Sequence, residues 1–166
     1  MFVRWRLGFL VLTLICGSAI GYALYLQYEE FLSPCPLCIF QRVGIISFGL
    51  VSLLAALFPL RRATWFWPAL LTLVGLAGAS VSARQVYLQY FLTDKSSLGS
   101  CGPGLQYMLD NQPWLQVFRS VLVGHGECAV IDWKFLGLSL PCWTLVLFLA
   151  LIAAAWLIRA WQGGRK

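Results

Sequence analysis

Charge is scarce in this chain, and histidine nearly absent. Of 166 residues, 11% are charged and one is histidine, His125. Mean hydropathy is +0.80. A soluble globular domain with so little charge is excluded on composition, and a membrane protein is indicated. Four long stretches lack charge altogether: Leu7 to Tyr28, Val43 to Leu60, Ala63 to Ala83 and Phe135 to Ile158. Each approaches or exceeds the ~20 apolar residues that cross a bilayer as a helix. The strict alternation of apolar and polar residues that a membrane barrel needs is also missing. Helices satisfy their own backbone in lipid, so an all-α bundle follows. The length suits one such domain, with spans at about 7–28, 38–60, 63–84 and 137–158.

Acids are missing from one side of this arrangement. Arg4 and Arg6 precede the first span, Arg61 and Arg62 form the turn between the second and third, and Arg159, Arg165 and Lys166 close the chain. All six acids (Glu29, Glu30, Asp94, Asp110, Glu127 and Asp132) fall in the other connections. Basic flanks mark the cytoplasmic side, so both termini and the Arg61–Arg62 turn are expected there. The net charge of +6 is thereby explained without nucleic acid. Arg4 and Arg6 before an apolar run also fit a signal peptide. "LTLICGS" hints at a lipoprotein site, but bulky Ile15 precedes Cys16. The run is longer than a signal peptide needs, and a retained helix is expected.

Two loops then face outward, a short one at about 29–37 and a long one at about 91–134. Within the long loop, Trp114, Leu115, Val117, Phe118, Val121 and Leu122 follow Pro113 at amphipathic helical spacing. A short helix lying on the membrane surface is expected, with a packed loop helix as the alternative. Small residues recur at helix-packing spacing in the spans. They are Gly17 and Gly21 in the first, and Gly75/Ala79 and Gly78/Ser82 in the third. These indicate close helix approach.

Six cysteines are present. Cys16 and Cys142 fall in spans and read as small apolar packing groups. Cys35 and Cys38, in "SPCPLCIFQR", and Cys101 and Cys128, in the long loop, all lie on the outer side. An oxidising compartment favours disulfides there. Three pairings are possible, of which Cys35–Cys38 with Cys101–Cys128 is the simplest, because the first two are local neighbours. Haem attachment through C-x-x-C-H is excluded by Ile39. Zinc, which favours two closely spaced pairs and free thiolates, is disfavoured by spacing and compartment, and no metal is expected. Structural disulfides in a membrane scaffold are the main alternative to a redox dithiol.

Local chemistry favours the redox reading. Pro36 suits the first position of a helix. Cys35 then sits near the N-cap and Cys38 in the first turn, where the helix N-terminus favours negative charge. Arg42 follows Cys38 by four residues on the same face. Arg84, in "SARQVYLQY", is expected at a similar depth at the end of the third span. Two arginines and a helix N-terminus at one interface suit an anionic or carbonyl-bearing headgroup, although each arginine alone reads as an interfacial anchor.

The pieces "PCPLCIFQR", "RQVYLQY", Cys101 and "GECAVIDWKFLGLSLPCW" together resemble the DsbB family across essentially the whole chain. Members are bacterial inner-membrane proteins that reoxidise a periplasmic thiol oxidase with quinone. The resemblance implies a protein dithiol:quinone oxidoreductase with a DsbA-like partner and the membrane pool of ubiquinone or menaquinone. Cys35 and Cys38 would be the disulfide beside the quinone, with Cys38 the reacting thiolate and Arg42 supporting charge. Cys101–Cys128 would be the second disulfide. Cys101 would meet the partner, and Cys128 would pass electrons inward through Cys35. Two departures stand out: Gln41 occupies a position acidic in some relatives, and "QVYLQYFL" lacks a histidine that some carry. Vitamin K epoxide reductases share the chemistry but place the loop pair before the CxxC.

Overall fold

The computed structural model describes residues 2–29, 35–58, 65–91, 113, 115–116 and 134–163. Four helices dominate: α1 (Phe2–Glu29), α2 (Pro36–Leu57), α3 (Phe66–Tyr90) and α4 (Leu140–Gly163). All four are long and apolar enough to cross a membrane. The architecture is the expected four-helix membrane bundle. α1 packs on α2, α2 on α3 and α3 on α4, with a smaller α1–α4 contact. Neighbours run antiparallel. Trp5 Nε1 donates to Ala55 O at one end of the α1–α2 pair, and Arg42 meets Gln27 near the other.

The helices and the uncharged runs have different limits. α1 includes Arg4 and Arg6, and α3 continues past Arg84 to Tyr90. A charged side chain ends an apolar run without ending a helix, because it can extend to the interface. α4 begins at Leu140, after a two-residue hairpin in which β1 (Lys134–Phe135) pairs antiparallel with β2 (Leu138–Ser139). Residues 137–139, expected in the fourth span, therefore belong to the hairpin and its turn. Its turn residues Leu136 and Gly137 both have positive φ, at 52° and 81°. That conformation matches strand twist in a two-residue turn. Ser139 N–H donates to Tyr90 Oη at 3.3 Å, joining the hairpin to the end of α3.

Phe9, Phe48, Leu71, Phe148 and Leu151 fill the bundle centre. Leu14, Leu73 and Leu157 point outward, as lipid-facing residues do when the solvent is itself apolar. The helices approach closely at three glycines. A Cβ on Gly44 would meet Gly78 Cα at 3.4 Å, and one on Gly78 would overlap the Phe148 ring. Gly75 is likewise closed in by Ile152 at 2.7 Å. The small residues of α3 thus pack as expected. Gly17 and Gly21 do not, since a Cβ on either meets nothing within 4 Å. Their stripe lies on the outward face of α1, because Phe9, Leu12 and Cys16 turn the other face into the core.

Candidate active site

The α1 C-terminal end, the α2 N-terminal end, the α3 C-terminal end and the α4 N-terminal end converge on Cys35 and Cys38. Local sequence builds the centre of this site. Pro36 starts α2 and Cys35 caps it, with extended backbone angles of φ −66° and ψ 161°. The Cys35 sulfur accepts from the Cys38 N–H at 3.4 Å, in the manner of a side-chain N-cap. This wraps the sulfurs to 3.1 Å from each other, both as thiols. Cys35 is buried, whereas Cys38 is half-buried and the more accessible of the two.

Arg42 lies one turn deeper, and its guanidinium crosses to α1. It donates to Gln27 Oε1 and, at 3.1 Å, to Ala23 O. Its hydrogen bonds therefore tie α1 to α2 from a position one helical turn past Cys38. Arg84 stacks its guanidinium over Tyr87, 5.5 Å from the ring centroid.

Among the described residues, the next side chain of α3, Gln85, reaches both sulfurs. Its Nε2 lies 3.4 Å from Cys35 Sγ and 3.3 Å from Cys38 Sγ. Its Oε1 accepts from Gln41 Nε2 at 2.8 Å. Thr144 of α4 donates to Gln41 Oε1 at 3.0 Å and also approaches Ser82 Oγ and Pro141 O. Sequence reasoning noted Gln41 only as a departure and passed over Gln85, Thr144 and Gln27. One signal was available: uncharged polar residues inside spans are unusual enough to be suspected of function.

The four cysteines singled out for redox chemistry are divided by what the structure describes. Cys35 and Cys38 come together, while Cys101 and Cys128 lie outside the described residues. The same holds for His125, the Arg61–Arg62 turn and most of the amphipathic segment. Of that segment, Leu115 is exposed, and Gln116 N–H donates to Pro113 O at 2.8 Å. Cys16 is buried in the core, in keeping with a packing role. Cys142, half-buried in the first turn of α4, lies 3.5 Å from Ser139 Oγ.

A contacting dithiol at a helix N-terminus, surrounded by neutral donors, suits thiol–disulfide chemistry. Comparison with known proteins agrees. The family profile described as "Disulfide bond formation protein DsbB" matches residues 5–158. A relative from Chromobacterium violaceum called "Disulfide bond formation protein B" is 43% identical over 162 residues, covering 97% of this chain and 94% of the relative. One of the same name from Acinetobacter baumannii is 46% identical over 157 residues, covering 93% and 87%. A third, from Saccharophagus degradans, is 46% identical over 152 residues, covering 91% and 88%. With a contacting CxxC at the end of a four-helix membrane bundle and similarity along nearly its whole length, the chain belongs to the DsbB family of membrane oxidoreductases in disulfide bond formation.

Proposed function

We propose that the protein oxidises the dithiol of a DsbA-like, thioredoxin-fold oxidase in the periplasm and delivers the electrons to the membrane quinone pool. The observation that carries this reading is the Cys35–Cys38 pair, with sulfurs 3.1 Å apart at the helix start and Cys38 the more accessible. The pair belongs to the bundle end from which both outer loops depart. Both termini are then cytoplasmic and the reactive cysteines periplasmic, in the bacterial inner membrane.

The exchange begins with a partner thiolate attacking Cys101 Sγ of a Cys101–Cys128 disulfide. A mixed disulfide forms and Cys128 leaves as thiolate. The partner's second thiolate then displaces Cys101, so the partner leaves oxidised and the loop pair reduced. Cys128 attacks Cys35 next, releasing Cys38 as thiolate. Cys101 resolves that bond, restoring the loop disulfide and leaving Cys35 and Cys38 reduced. Ubiquinone or menaquinone, when bound, supplies a two-electron, two-proton acceptor, and the CxxC disulfide re-forms as the electrons leave. The residues suit such a headgroup: Cys38 is accessible, and Arg42 brings a guanidinium with five N–H donors a turn away. We place Arg84 at the same interface as a further contact for the headgroup.

Purified full-length protein given reduced thioredoxin-fold partner and quinone should yield quinol and oxidised partner in equal amounts. Cys38→Ser should abolish quinol formation. Cys101→Ser should block electron entry from the partner while small dithiols still reduce the CxxC. Wild-type turnover in Cys38→Ser would overturn the scheme. Partner oxidation that survived Cys101→Ser would leave the loop pair structural.

A further inference from the structure

Gln85 is the side chain on which the site's polar contacts converge, and the thiol exchange above assigns it no task. It is almost completely buried, at 2% exposure, as is Gln41. A buried amide inside a membrane bundle needs partners on both its oxygen and its nitrogen. Gln85 finds them in two directions. Its oxygen accepts from Gln41 Nε2 at 2.8 Å, which turns its nitrogen toward Cys35 Sγ and Cys38 Sγ at 3.4 and 3.3 Å. Thr144 in turn holds the Gln41 amide through Oε1 at 3.0 Å. The orientation of the donor at the sulfurs is thus set by a chain spanning α2, α3 and α4.

We propose that Gln85 is a further residue of the reaction centre: its amide N–H supports negative charge on the Cys38 sulfur, and Gln41 and Thr144 are positioning residues that keep that N–H aimed. The proposal rests on the reading of Cys38 as the reacting thiolate. A neutral donor suits this location. It stabilises a thiolate without adding a second buried charge, and it takes no proton from the thiol. Hydrogen bonds to an ionised acceptor are the strong ones, more so where water is excluded. The chain also tolerates the protonated centre. Thr144 Oγ lies 2.9 Å from Pro141 O as well. With both amides turned over, Gln85 Nε2 would donate to Gln41, Gln41 to Thr144 and Thr144 to Pro141. Gln85 Oε1 would then face the Cys38 thiol, from which it already lies 3.8 Å. Every link keeps a donor and an acceptor in either setting.

The test uses the full-length protein, reduced and reconstituted in bilayers at neutral pH. The rate of Cys38 carboxamidomethylation by iodoacetamide is followed by mass spectrometry, with Cys101 and Cys128 as internal references. Gln85→Met keeps length and helix propensity but removes the donor. Cys38 should then react about tenfold more slowly, the loss expected for a hydrogen bond to a charged sulfur. In a fixed dithiothreitol buffer its Cys35–Cys38 pair should move toward the disulfide, because the reduced form has lost support. Thr144→Val leaves the sulfurs untouched and should slow Cys38 in the same direction by a smaller factor. A parent rate in Gln85→Met overturns the proposal, as does a parent rate in Thr144→Val should that variant alone fold. These rates need no quinone. A wild-type protein that fails to make quinol would therefore sink the functional reading separately.

Discussion

At the residue scale, Arg42 shows how one side chain can carry two roles. Its hydrogen bonds to Gln27 and to Ala23 O hold α1 against α2, while its place on α2 is one turn from Cys38. Arg42→Met should therefore have two effects. Stranding the α1 acceptors should cost about 1–3 kcal/mol of stability, read as earlier unfolding in detergent. Under the proposed reaction, the quinone KM should also rise, about tenfold if one charged hydrogen bond to the headgroup is lost. Arg42→Lys keeps the charge but not the fork, so it should recover part of the KM and less of the stability. An unchanged KM in the methionine variant would leave Arg42 as a helix tie alone. The arginine and both cysteines were legible in the sequence because their types and spacing on one helix suffice: Pro36, a capping cysteine, and charge at i+4. Gln85 and Gln27 were not. Which polar side chain meets the sulfurs or the guanidinium depends on how α3 and α1 are rotated about their axes, and spacing within a single helix does not contain that.

At the element scale, the same limit explains the glycines. The spans themselves were readable, since lipid demands a minimum apolar length and leaves the helix as the available backbone. The small-residue pattern was readable in α3 and misleading in α1. Gly78 sits under the Phe148 ring and opposite Gly44, whereas Gly17 and Gly21 face outward with open space. Identical spacing thus has opposite consequences, decided by which face the large residues Phe9 and Leu12 pull inward. Gly78→Ala should force Phe148 or a whole helix to move, at about 1–3 kcal/mol. Gly17→Ala and Gly21→Ala should be neutral or slightly stabilising, because alanine favours helix. Unfolding of the purified variants in denaturing detergent checks both, and Phe148→Leu in the Gly78→Ala background should restore part of the loss. A Gly17→Ala variant as damaged as Gly78→Ala would place a partner on the outer face of α1.

At the scale of the whole molecule, orientation decides whether the chemistry has access to its substrate. The helix ends that carry Cys35, Gln85 and Thr144 lie together at one end of the bundle, and Trp5, Ala55 and Phe58 lie toward the other. Nothing in the packing of an antiparallel bundle says which end faces the periplasm. The proposed orientation rests on the charge pattern of the sequence: seven basic residues belong to the termini and the α2–α3 connection, and all six acids to the other two connections. Lys and Arg are retained on the cytoplasmic side during insertion, so under the proposed topology the feature that orients the protein would also expose its dithiol to the oxidising compartment. This predicts a labelling asymmetry. In a chain whose six native cysteines are replaced by serine, a cysteine at Arg62→Cys should react with a membrane-impermeant maleimide only after the cells are lysed. One at Ser97→Cys, in the long loop, should react in intact spheroplasts. Replacing Arg61 and Arg62 together with Glu should weaken this asymmetry, because the connection between α2 and α3 would lose its retention signal, while Arg4, Arg6 and the basic tail would still favour the original orientation. Labelling of Arg62→Cys from outside, with Arg61 and the other basic flanks in place, would invert the proposed topology and put positions 35 and 38 in the reducing cytoplasm, where a disulfide-generating reaction would have neither the proposed periplasmic partner nor a compartment in which its product persists.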